Sequence, residues 1–187
     1  QYLAYKNTTK LFNIFPRFRL TIPIGTFDKV DGSVVLPIDI QPSSGSFKYH
    51  FGLLFSKLYM SGNLAFFLDN SFEISQRIET ERTNYKYGNM FNNSLYAGYK
   101  FTHNFTIAMQ LRSQYRERAS DKNKELVNAT GGHVMFISPQ LRYNLFKTWN
   151  ITFKYDYPFY KNMNGTQLTN NYVLSLRLSK SLDFNSH

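Results

Sequence analysis

At 187 residues and a formal net charge of +10, from 22 Lys and Arg against 12 Asp and Glu, the chain is long enough for one ordinary domain. It has no cysteine, which excludes disulfides and thiolate metal sites, and no run of about 18 apolar residues, which excludes a transmembrane helix. Aromatics reach 18% while mean hydropathy is −0.40, so the large apolar side chains are interleaved with polar ones rather than clustered.

In chain order, QYLAY at residues 1–5 reads as the tail of a strand whose beginning precedes Gln1, and KNTTK at 6–10 as a tight turn. Period-two alternation then runs over residues 11–24, 47–59, 63–75, 90–101, 105–118, 133–145, 150–160 and 170–182, eight segments without convincing helical periodicity. A tilted strand needs about 9–11 residues to cross a bilayer, and soluble sandwich strands typically have about 5–6. The connections alternate in length. MSG, THN and FKTW are tight, whereas the segments around residues 25–46, 76–89, 119–132 and 161–169 are long. Short turns on the periplasmic side and long loops outside are the outer-membrane pattern, and this count leaves the carboxyl end in the periplasm. The predicted fold is all-β, an antiparallel transmembrane β-barrel forming a single domain over 1–187, with eight strands in view and amino-terminal strands missing. Closure by those eight strands alone is the simpler alternative.

Parity assigns the faces. Leu64, Phe66, Leu68, Phe72 and Ile74 oppose Asp69, Ser71 and Glu73, and Leu174, Leu176 and Leu178 oppose Ser175, Arg177 and Ser179. A cation facing lipid at the midplane costs about 2–4 kcal/mol, so the charged parity must be the interior. That places Arg17, Arg19, Lys48, Lys100, Arg112, Arg116, Arg118, Arg142, Lys154 and Arg177 inward with Asp69, Glu73 and Asp156. An open lumen so lined would prefer anions; in a packed lumen the same guanidiniums would bridge carboxylates. Tyr59, Tyr99, Tyr143 and Trp149, with Phe146 nearby, gather at the short-turn ends as an interfacial aromatic girdle would.

The basic residues are dispersed along strands and form no compact patch, which argues against a nucleic-acid partner. His50, His103, His133 and His187 lack metal-ligand spacing. A hydrolase would need a facing Ser and His with a third group orienting the base. His50 with Ser56 or Ser94 is the nearest such pairing, and no enzyme activity is expected.

The strand GGHVMFISPQLRY (residues 131–143), the turn with Trp149, Pro158 and Tyr160 near the end of the next strand, and NGTQL before the last one are similar to a family of Gram-negative outer-membrane barrels. That family is named after the MetA pathway of phenol degradation. LTIPIGTFDK and LPIDIQPSSGSFKYHFGLLFSK resemble its earlier strands, so the likeness covers about residues 17–182. The resemblance implies a barrel of about twelve strands that passes small, often hydrophobic molecules, and this chain lacks the amino-terminal portion. The aromatic Phe184 after the last strand resembles a barrel-assembly signal, although NSH extends beyond it. The expected function is a channel or transporter for small hydrophobic or anionic solutes in the outer membrane of a Gram-negative bacterium. Its alternative is a non-conducting barrel serving as an accessory subunit of a larger envelope assembly. The expected partners are outer-membrane lipids, a small solute and other envelope proteins, with no cofactor.

Overall fold

The computed structural model describes residues 5–7, 12–32, 34–123, 125–145 and 148–181. Nine strands pair in sequence order into one antiparallel sheet: β1 (Tyr5–Asn7), β2 (Phe12–Thr21), β3 (Lys48–Tyr59), β4 (Leu64–Ser75), β5 (Met90–Lys100), β6 (Phe105–Arg116), β7 (Gly132–Leu145), β8 (Trp149–Met163) and β9 (Val173–Lys180). β1 and β9 are the two edges, and no pairing joins them among the described residues. The alternating segments thus become the long strands β2 to β9. Lys6 and Asn7, expected in a turn, belong instead to β1, where they pair with Asn13 and Phe12. Phe146, Leu182 and Phe184 lie outside the described residues.

Strand limits follow local chemistry. β2 stops at Thr21, short of the expected Ile24, because Pro23 has no N–H to extend a ladder. β8 starts at Trp149 and runs to Met163, beyond the expected Tyr160, with the help of a bulge. Met135 pairs with Tyr160 while the next residue, Phe136, pairs with Pro158, so Phe159 is the extra residue. A bulge accommodates the ladder bond that proline cannot donate. Beyond it the parity of β8 reverses, and Lys161 pairs with Val134 of the charged face.

The sheet is inverted relative to a soluble layer. Its charged face holds the buried polar residues Ser56, Glu73, Ser138 and Asp156. Among the described residues, Ile78, Ala108 and Ala119 are the buried hydrophobics. The apolar face is uncovered, with Phe51, Leu68, Leu95, Met109, Leu141 and Phe153 exposed and Leu176 at 76%. On that face lysines occur at the short-turn end, where Lys57 lies 4.6 Å from the Tyr59 ring and Lys180 5.3 Å from that of Trp149.

The two ends differ. At one, Met60–Gly62 and residues 101–104 make tight turns. At the other, the long loops carry small ribbons, Val30–Asp31 with Val34–Val35 and Ile78–Glu79 with Asn84–Tyr85, and are laced to one another. Thr83 donates to Asp28, and Ser46 to the Gln76 carbonyl at 2.6 Å. Arg77 donates to Asn84, Ser120 and the Asp121 carbonyl at 2.7, 2.7 and 2.6 Å. Gln167 donates to the Gly131 carbonyl at 2.7 Å. Gly131 has φ of +70°, and a Cβ there would fall 2.5 Å from the Glu117 carbonyl oxygen. Gly131 is therefore needed where the β6–β7 connection folds against the end of β6.

Candidate functional site

Because successive side chains alternate and the registers are continuous, residues of the charged face on neighbouring strands form rows. Arg19, His50 and Glu73 share one row, and Arg17, Gly52 and Ser71 the next. Glu73 is buried, with Lys48 Nζ at 3.9 Å and His50 Nε2 at 3.2 Å. His50 also meets the Arg19 guanidinium at 3.0 Å. Arg17 forms an ion pair with Asp69, two strands away. It crosses β3 at Gly52, where an added Cβ would lie 3.3 Å from the Arg17 Nη2. Gly52 thus provides the lane that lets a cation on β2 reach an acid on β4. A cavity of about 360 Å³ opens here, lined by Arg17, Arg19, His50, Asp69 and Asn92.

A second cluster lies on β6 to β9. Asp156 is buried and accepts hydrogen bonds from the Ser138 hydroxyl and from Lys154 Nζ, the latter at 2.9 Å. The Arg112 Nη2 stands 3.8 Å from the same carboxylate, and the Arg112 guanidinium rests 4.5 Å from the Phe136 ring centre. Such a carboxylate is satisfied by charge-assisted bonds from two strands. Next to it a cavity of about 490 Å³ is lined by Arg142, Lys154, Arg177, Gln140, Thr152 and Ser175 among others.

The structure therefore brings Arg17, Arg19, Lys48, Asp69 and Glu73 into one group and Arg112, Arg142, Lys154, Asp156 and Arg177 into another. Arg116 stands apart and is exposed, its Nη2 3.2 Å from the Met90 sulfur. Arg118, expected on a strand, falls beyond the end of β6 and donates to Asn164 at 3.1 Å. β6 ends two residues earlier than its charge pattern suggested because the chain there turns into the loop packed against Gly131.

Two residues of these clusters, Ser138 and Gly52, escaped the sequence reading, and His50 entered it only as a partner of Ser56 or Ser94. His50 sits on the same parity as Lys48 and could have been added to the inward set on that ground. Ser138 and Gly52 carried no such signal, since a small residue is ordinary on either face. The pairing of His50 with Ser56 or Ser94 does not form: His50 is held by Glu73, Ser56 accepts from Asn13, and Ser94 accepts from Gln110. A different pair, Ser113 and His133, hydrogen-bonds at 2.8 Å on the apolar face, with the His133 ring between Tyr115 and Tyr160. Among the described residues no group of three or more His, Cys, Asp or Glu could hold a metal ion.

A model of the family described as the MetA-pathway of phenol degradation matches residues 1–178. The chain belongs to that family. No curated protein matches the sequence. In this member of the MetA-pathway family the matched span takes in β1 to β8 and most of β9, including both charged clusters and Arg177.

Proposed function

We propose that this chain is part of an outer-membrane β-barrel, in a Gram-negative envelope, that passes small solutes through a cation-rich lumen. The observation that carries this reading is the inverted distribution of polarity on one sheet. The charged face is the concealed one and the hydrocarbon face is bare. A water-soluble protein would place a second layer over so continuous an apolar surface. Lipid supplies that cover in a barrel wall, whose interior is polar.

Strand length fits the same setting. β3 and β4 have 12 residues each and β5 has 11, enough to cross the hydrocarbon at a tilt. Lysines with aromatic rings at the short-turn end suit a headgroup layer, where an ammonium can leave the hydrocarbon while its stem stays on a ring. Among the described residues no helix is long and apolar enough to cross a membrane, and strands are the spanning elements of this proposal. In lipid the free edges of β1 and β9 must be paired, because exposed backbone groups there cost several kcal/mol each.

Support for solute passage comes from the cavities and from cations outnumbering acids on the charged face. A non-conducting accessory barrel is the second reading, favoured by the saturation of Asp69, Glu73 and Asp156 with ion pairs and by the edge-on packing of Phe67 on Tyr96 at 5.5 Å on the same face. Planar-bilayer recording of the full-length protein separates the two. Stable ohmic steps with an anion-biased reversal potential are expected. Silence, with heat-resistant migration on gels showing a folded barrel, would leave the accessory role.

A further inference from the structure

The acids of the inner face are already engaged. Asp69 is taken by Arg17, Glu73 by Lys48 and His50, and Asp156 by Lys154 and Arg112. Arg142 and Arg177 have no ion pair among the described residues, and no carboxylate lines the cavity of about 490 Å³ that they share. Their register explains the convergence. Thr152 of β8 pairs with Arg142 on one side and Arg177 on the other, so the two backbones stand two strand spacings apart, about 10 Å. Both side chains are long enough to reach over the short Thr152 between them. Lys154 faces the same space from two residues along β8, across from Gln140 and Ser175.

The neutral groups around this space are also oriented. Gln140 Nε2 donates to Gln110 Oε1 at 3.2 Å, and Gln110 Nε2 donates to Ser94 Oγ at 2.6 Å. The two amides are thus held in a chain running away from the arginines. Two guanidiniums without a counter-charge, facing one concave polar space, concentrate positive potential there. Planar guanidinium forks match the paired oxygens of a carboxylate or a phosphate.

Resting on the lumen reading above, we propose that Arg142, Arg177 and Lys154 form a binding site for a small oxyanion, a carboxylate or a phosphate, at the short-turn end of the inner face. Arg142 and Arg177 grip the two sides of the anion and Lys154, shared with Asp156, faces it along β8. No aromatic ring lines this cavity, so the anionic group and not a hydrophobic body is what the site recognises.

The test is calorimetric titration of the full-length protein in detergent micelles at low salt, with acetate and inorganic phosphate in separate arms. Saturable binding of at least one is expected. The tighter of the two assigns the site to carboxylates or to phosphates. The double variant R142Q/R177Q should bind about tenfold more weakly or worse, while K122Q in an exposed loop should bind as the parent does. Retained heat-resistant migration on gels reports folding of each variant. Should the double variant fold poorly, S175D, which places an acid in the cavity, should abolish binding in its stead. Absence of saturable binding, or equal binding in the parent and the folded variants, overturns the site. Binding by a protein that is silent in bilayers keeps the site and removes the channel, whereas conductance without binding does the opposite.

Discussion

Gly52 and Asp156 show how much a single position decides on the charged face. A branched side chain at Gly52 would occupy the lane of the Arg17 guanidinium and also press on the Asn70 carbonyl, 3.3 Å from an added Cβ. Gly52→Val is expected to cost about 1–3 kcal/mol as an overpacked substitution. In that background Asp69→Asn should cost nothing further, because the ion pair is already broken, and a double-mutant cycle on urea unfolding in detergent measures this. Asp156→Ala is expected to be worse, at about 3–5 kcal/mol, since Lys154 and Arg112 would lose their carboxylate in a partly buried place. Asp156→Asn should fall between, as an amide oxygen still accepts from Ser138. Ser138 is fully buried at 0% exposure, yet nothing in its sequence surroundings marks it out. What makes it matter is proximity to Asp156 on the neighbouring strand, and proximity of that kind is set by register rather than composition.

At the level of strands, the alternation of apolar and polar residues was sufficient to locate β2 to β9 and to sort their faces, because a period of two is a geometric property of any extended chain. Arg17, Lys48, Asp69, Glu73, Arg112, Arg142, Lys154, Asp156 and Arg177 all fall on one face for that reason. Legibility ended where backbone chemistry interrupted the period, at Pro23 and at the bulge beside Pro158, and in the long loops, whose contacts depend on folding back. A test of the faces uses β5. Leu95→Arg puts a charge on the bare side near the strand's middle and should destabilise a membrane-inserted barrel by about 2–4 kcal/mol, whereas Asn92→Arg, three residues away on the charged side, should be tolerated. Equal costs would show that the bare side does not meet lipid. In the loops, Arg77 ties its own segment to the next one through Ser120 and Asp121, beside the backbone bridge between Lys86 and Ser120. Arg77→Ala is expected to raise the rate of proteolysis within residues 76–89 several-fold, as local opening becomes easier.

For the molecule as a whole, the difference between its two ends gives the proposed outer-membrane barrel a direction across the membrane. Under the proposed orientation a cysteine at Lys122, in the laced end, reacts with an impermeant maleimide on intact cells, and one at Thr148, in a short turn, does not. The reverse pattern would invert the barrel. The lacing itself bears on how such a wall could be built. Each stitch runs from one hairpin's loop to its neighbour's: Asp28 to Thr83, Arg77 to Asp121, Gly131 to Gln167. A hairpin therefore cannot complete its own fastening until the following one has arrived. If hairpins were added in chain order, each new one would secure the one before it at the laced end, and a register error would then have to break loop hydrogen bonds as well as the ladder to be undone.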